Sequence, residues 1–187
     1  MEGSTIIIIV VGAILLLLAF YVISVYNKLV NGRNKVDNQW SQIDIQLKRR
    51  ADLIPNLVET VKGYAKHEEG TLTAVIEARN KAVSAGTVNE KIEANNELTG
   101  ALNRLFALSE SYPELKANEN FLSLQNDLKD TEDKITYSRQ FYNDAAMTFN
   151  NLIQMFPSNI VASMFGFKTY EFFKIDEKEK EAPKVKF

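Results

Sequence analysis

The chain has 187 residues with 22 basic and 24 acidic side chains, a net charge of -2, no cysteine and one histidine. A balance this close to neutral supplies no overall field for nucleic acid, and the missing thiols exclude disulfides, thiolate catalysis and thiolate metal sites. Glycine (8) and proline (4) are scarce, which suits long helices better than a turn-rich sheet.

No charged residue stands between Gly3 and Asn27, and the centre of that run reads IIIIVVGAILLLLAFYVISVY. About 20 such residues, rising about 1.5 Å each, cross a hydrocarbon core. Tyr21 and Tyr26 suit the headgroup boundary. A cleaved secretory signal would show a basic start, a shorter apolar core and small residues before the cut. Here only Glu2 precedes the core and SVYN lacks an A-x-A pattern, so a retained anchor is expected. Lys28, Arg33 and Lys35 follow the run and no base precedes it, which places the N-terminus outside and the body in the cytoplasm.

Apolar positions continue beyond the anchor at Val36, Trp40, Ile43, Leu47, Ile54, Leu57, Val61 and Tyr64, with Arg50 filling the gap in a heptad seam. A first helix is predicted from the anchor to about residue 65, with Pro55 either kinking it or opening a new helix. A second helix is expected over 68–85, with Leu72, Val75, Ile76, Ala82 and Val83 inward, acids in its first turn and Gly86 as C-cap. A third is expected over 88–111, closed by Pro113. The fourth carries the clearest signal: Phe121, Leu124, Leu128, Thr131, Ile135, Ser138, Tyr142, Ala145, Phe149, Leu152 and Phe156 alternate by 3 and 4 until Pro157. NIVASMFGF follows, then the charged tail IDEKEKEAPKVKF.

The predicted fold is all-α: an N-terminal transmembrane helix continuing into an antiparallel up-and-down four-helix bundle. It divides into a tail and anchor (1–27), a bundle (28–156), an apolar membrane-proximal segment (157–173) and a loose charged tail (174–187). The second and third helices are about half as long as the first and fourth, so they cover only the end far from the membrane. Ten of the nineteen aromatic residues lie between Tyr137 and Phe173, which predicts an uncovered apolar flank near the membrane. Trp40, Tyr142, Phe149, Phe156 and Phe165 are the expected interface residues, with Phe165 and Phe167 placed to dip among headgroups. Antiparallel alignment sets Arg50 opposite Glu132 and Asp133 as a register-fixing ion pair, and Asp44 near Gln140 and Arg139. Lys48 and Arg49 are then expected to face solvent, and most of the asparagines (Asn118, Asn120, Asn143, Asn150, Asn151) to sit in water.

Two stretches, YNKLVNGRNKVDNQWSQIDIQLKRRADLIPNLVETVKGYAKHE and YPELKANENFLSLQNDLKDTEDKITYSRQFYNDAAMTFNNLIQMFPSNIVASMFGF, resemble the LemA family across nearly all of residues 26–167. The resemblance implies a bacterial single-pass inner- or plasma-membrane protein, N-terminus outside, with a helical bundle inside. One branch of that family is linked to building the magnetosome membrane, which hints at membrane organisation. It supplies no catalytic residue and no cofactor.

The residues themselves hold little chemistry. His67-Glu68-Glu69 lacks the second histidine of a zinc helix, Thr71 standing at the required place, so a helix start is the plainer reading. No serine has a nucleophile-elbow context, and Gly86, Gly100 and Gly166 are isolated rather than a phosphate loop. The chief expectation is a non-enzymatic scaffold, in contact with the lipid bilayer and with copies of itself or membrane-protein partners, and with no nucleic-acid partner. The alternative is a ligand-binding or sensing module, marked by a cavity among Arg50 and the polar residues of 131–139.

Overall fold

A computed structural model describes residues 2–173, with the side chain of Glu2 left out; the charged tail predicted at 174–187 lies outside them. The described residues form six helices and no strand: α1 (Glu2–Lys62), α2 (Glu69–Ser84), α3 (Val88–Ser109), α4 (Pro113–Lys116), α5 (Glu119–Gln154) and α6 (Ser158–Met164). The protein is all-helical, and α1 begins with a stretch long and apolar enough to cross a membrane, none of that stretch being buried within the chain. The chain groups into two compact units, Ser41–Arg139 in one and the residues before and after it in the other. Helices α1 and α5 each contribute to both.

The unit Ser41–Arg139 is built on one core. Ile54, Leu57, Val58 and Val61 of α1 meet Leu72 and Val75 of α2, Leu98, Leu102 and Leu105 of α3, and Phe121 and Leu128 of α5. The predicted seams of α1 and α5 are thus the inward faces here. On α2 the inward face is narrower than predicted, since Ile76 and Val83 are exposed. Helices α1 and α5 run in opposite directions in this unit, for Arg49 meets Asp127 and Asp130 at 3.6 and 3.7 Å. At the other end, the Asn118 side chain just before α5 donates to the Tyr64 hydroxyl just after α1 (2.9 Å). Arg49 is exposed, as expected, and from the surface also reaches these two carboxylates. Lys48 pairs only along its own helix, with Asp52.

Pro55 lies inside α1 and does not open a new helix. Without an N–H it leaves the Ala51 carbonyl unclaimed by the helix. Arg79 of α2 fills that vacancy, its Nε donating to the Ala51 oxygen at 3.3 Å. The α2–α3 turn also departs from expectation. Gly86 is not a left-handed cap; Ala85 ends α2, and Thr87 opens α3 through a capping box with Glu90. The Glu90 carboxylate accepts the N–H groups of Thr87 and Gly86 at 3.0 Å, which holds its pKa below the ordinary carboxylate range. Glu68 stands at the start of α2 without capping it and instead accepts the Tyr112 hydroxyl (3.0 Å). Helix α3 ends at Ser109, before Pro113, which serves as the first residue of the short α4. Asn118 then caps α5, accepting the Phe121 N–H at 2.9 Å.

The other unit joins residues up to Trp40 to those from Gln140 onward. Here α1 and α5 approach closely: a Cβ on Gly32 would stand 2.8 Å from the Phe149 ring. Ser158 takes up the last carbonyls of α5, donating to those of Leu152 (2.7 Å) and Met155 (2.9 Å). Gly166, at φ 70°, reverses the chain after α6. The reversal follows the Schellman pattern, with Phe167 N–H bonded to the Ala162 oxygen and Gly166 N–H to that of Ser163. Residues 167–173 continue as a non-helical strap.

Candidate functional site

Two places concentrate polar and aromatic side chains, one in each unit. The first is the groove between α1 and α5 beneath the strap. Asn150 accepts the Tyr170 N–H (2.9 Å) and donates to the Tyr170 carbonyl (2.8 Å). Seven residues earlier, Asn143 treats Phe173 in the same way at 2.9 and 3.1 Å. The Tyr142 hydroxyl donates to the Glu171 carbonyl. Helical side chains thus satisfy backbone groups of a strap that has no sheet or helix partner of its own.

Rings close the rest of the groove. Phe173 stacks on Trp40 (centroids 5.8 Å, planes 22° apart) and meets Tyr142 edge-on at 5.2 Å. Phe149 takes the edges of Phe167 and Tyr170, and the Arg33 guanidinium lies 5.7 Å from the Phe167 ring centre. Tyr170 ends the seam, its hydroxyl donating to Asp37 Oδ1 at 2.5 Å. Burial, that bond and the Asp37 charge together raise the Tyr170 hydroxyl well above an ordinary phenol.

This arrangement corrects two expectations. Part of the apolar flank near the anchor is covered by the chain's own strap, so Tyr142 and Phe149 are buried and Trp40 half-buried, while Phe141, Met155 and Phe156 stay exposed. Asn143 and Asn150 are strap ligands and not solvated residues. Their signal was a heptad spacing on the inward side of α5, but an extended strap has no periodicity to announce what those amides would hold. Phe156, which ends the predicted α5 stripe, is 80% exposed, and Phe165 is also exposed. Phe167 turns inward to the groove rather than outward.

The second place is a notch in the unit Ser41–Arg139. Arg50 is only 3% exposed. Its Nη2 donates to Thr99 Oγ1 at 2.8 Å, and its Nη1 lies 2.9 Å from Glu132 Oε2. The latter contact is ionic without an aligned N–H, and Arg50 Nε has no hydrogen-bond partner. Burial pulls the guanidinium below its usual value, Glu132 pushes it back up and Arg139 pulls it down. Asp133, the other expected carboxylate, is exposed and does not pair with Arg50, but shares with Arg50 and Glu132 the lining of a cavity of about 450 Å³. Thr99 and Phe106 line it as well. Asp44 pairs with Lys91 of α3 rather than with Arg139. Thr99, Lys91 and Arg79 were missed because each meets a residue on another helix, and the apolar face of one helix does not name its polar partners on the next. Among the described residues, no group of three or more His, Asp or Glu side chains gathers in a metal-binding arrangement.

The LemA family model matches residues 39–187. The chain belongs to the LemA family. The match takes in both the notch and the strap and begins after the apolar stretch of α1. Protein LemA of Metamycoplasma hominis is 30% identical over 158 residues, covering 82% of this chain and 71% of that protein. The magnetosome protein MamQ of Magnetospirillum gryphiswaldense is 27% identical, with 87% and 73% covered. Magnetosome protein MamQ 2 of Paramagnetospirillum magneticum is 26% identical, with 80% and 64% covered. This LemA-family chain therefore shares most of its length with relatives of differing names.

Proposed function

We propose that this LemA-family protein is a non-catalytic scaffold of the bacterial plasma membrane, anchored once, with its N-terminus outside and an up-and-down helical bundle in the cytoplasm. One observation carries the reading: α1 is a single helix from Glu2 to Lys62. Its first stretch is apolar and uncovered, and its later residues supply core side chains, so one helix contributes to both anchor and bundle. The basic residues Lys28, Arg33 and Lys35 after the span support the orientation. The relatives named as magnetosome proteins support a structural role over a catalytic one. Partners are membrane proteins or further copies of the chain.

The absence of cysteine makes a direct test available. Ser4→Cys and Lys129→Cys, introduced singly, are exposed to a membrane-impermeant maleimide in intact cells. Ser4→Cys is expected to label without lysis and Lys129→Cys only after it; the reverse pattern overturns the orientation. Crosslinking in the same cells is expected to trap species above monomer, and a strict monomer without neighbours overturns the scaffold.

The notch favours a second reading, a ligand-binding module. A cavity of about 450 Å³ holds one small molecule and contains a buried arginine with an unused donor. A thermal-shift screen with small carboxylates and phosphates, repeated on Arg50→Met, tests it. A stabilisation lost in the variant supports the module, and no shift from any compound removes it.

A further inference from the structure

The corner between α5 and α6 has an uncovered face. Met155, Phe156, Ile160, Met164 and Phe165 are each 50–80% exposed, while Ser158, Val161 and Ala162 on the other side of α6 are buried. No charged residue occurs from Ala145 to Phe167, so nothing on this corner competes for water. Soluble surfaces rarely gather five large apolar side chains with no charge among them.

Its position names the occupant. The Phe165 ring lies 4.7 Å from that of Tyr26, and Phe167 lies 6.0 Å from the same ring. Tyr26 stands at the end of the uncharged run of α1, where aromatic rings mark a membrane boundary. Lys28 follows Tyr26 on α1 and Lys168 follows the corner in sequence, two cations of the kind that phosphate headgroups attract.

We propose that the α5–α6 corner is a second membrane contact, inserting Met155, Phe156, Ile160, Met164 and Phe165 into the leaflet from which α1 emerges. The inference rests on the reading of α1 as a membrane span. A helix seated in the interface buries its apolar face roughly 5–10 Å deep, at the level of the headgroup and acyl boundary. Two contacts, one spanning and one shallow, stop α1 from rotating about its own axis and fix which side of the emerging helices faces the lipid. The contact is also sensitive to lipid packing, as interfacial apolar faces are.

The test uses the full chain reconstituted in phosphatidylcholine–phosphatidylglycerol vesicles, with a nitroxide on one introduced cysteine at a time. Oxygen concentrates in the bilayer and a nickel chelate in water, so their relative access reports depth. Ile160→Cys and Met164→Cys are expected to favour oxygen several-fold over Lys129→Cys, at a depth shallower than Ile9→Cys in the span. Nickel-accessible labels at 160 and 164, with a deep label at 9, overturn the second contact and leave the anchor standing. A label at 9 that is itself open to nickel overturns both. Labels at 160 and 164 shielded from both reagents, and spin-coupled more strongly as protein per lipid rises, show a second copy on the corner and overturn the proposal.

Discussion

The side-chain amide of Asn150 holds the backbone of Tyr170 at both ends, accepting its N–H at 2.9 Å and donating to its carbonyl at 2.8 Å. Asn150 is itself buried, so its loss strands two backbone groups in a place water reaches poorly. Asn150→Ala is expected to cost about 1–3 kcal/mol. The chain has a single tryptophan, and Trp40 stacks on the same strap through Phe173. Loosening of the strap should therefore shift its emission to the red before the main melting transition. An unchanged spectrum and melt would show that the strap is not held by these bonds.

Gly32 faces Phe149 so closely that a methyl group would stand 2.8 Å from Cδ2 of the ring. Replacing a mid-helix glycine by alanine ordinarily stabilises by about 1 kcal/mol. Here the ring is wedged by Phe167 and Tyr170 and has little room to move. Gly32→Ala is expected to destabilise instead, by about 1–3 kcal/mol from overpacking. Phe149→Leu in the same chain should recover part of that loss. Denaturant unfolding of the three variants decides the sign.

Arg79 and Pro55 form a compensating pair across the Ala51 carbonyl. Arg79→Ala alone leaves that oxygen without its donor and is expected to cost about 1 kcal/mol. With Pro55→Ala the helix supplies its own N–H, and the same arginine substitution should cost less. A double-mutant cycle is expected to give a coupling of about 0.5–1 kcal/mol. Strict additivity would mean that Arg79 acts through something other than this carbonyl.

Removal of Glu132 leaves Arg50 as a buried charge beside Arg139, whereas Arg50→Leu removes the charge itself. Fully buried pairs lose about 3–5 kcal/mol when one partner goes, and the partial exposure of Glu132 reduces this to about 2–3 kcal/mol. Arg50→Leu is expected to melt within about 1 kcal/mol of the parent, with an altered mass distribution in detergent if the pair sets helix register. Greater instability of Arg50→Leu than of Glu132→Ala reverses the argument.

Tyr170 makes stability fall at alkaline pH. Its folded-state pKa is raised, so the folded chain keeps a proton that the unfolded chain releases near pH 10. The contribution is complete below that pH and declines as pH rises towards the folded-state value. Melts between pH 8 and 11 are expected to fall more steeply for the parent than for Tyr170→Phe. Parallel curves would place the phenol outside the folding equilibrium.

The amino-acid sequence by itself determined the four long helices but not the short α4 and α6, because periodicity and the uncharged run are local properties that need several turns to show. It placed the long inward stripe of α5 and the candidate span, and it carried the family resemblance. Its match to the family model extends past residue 167, the limit of the visible resemblance, through the strap. Tertiary structure alone decided what Asn143, Asn150, Arg79 and Thr99 bind. Each meets a backbone or side-chain group distant in sequence, which the apolar face of its own helix does not name. It also decided that the groove holding Tyr142 and Phe149 is filled from within, since a seven-residue strap gains its structure only from the amides and rings it lies against.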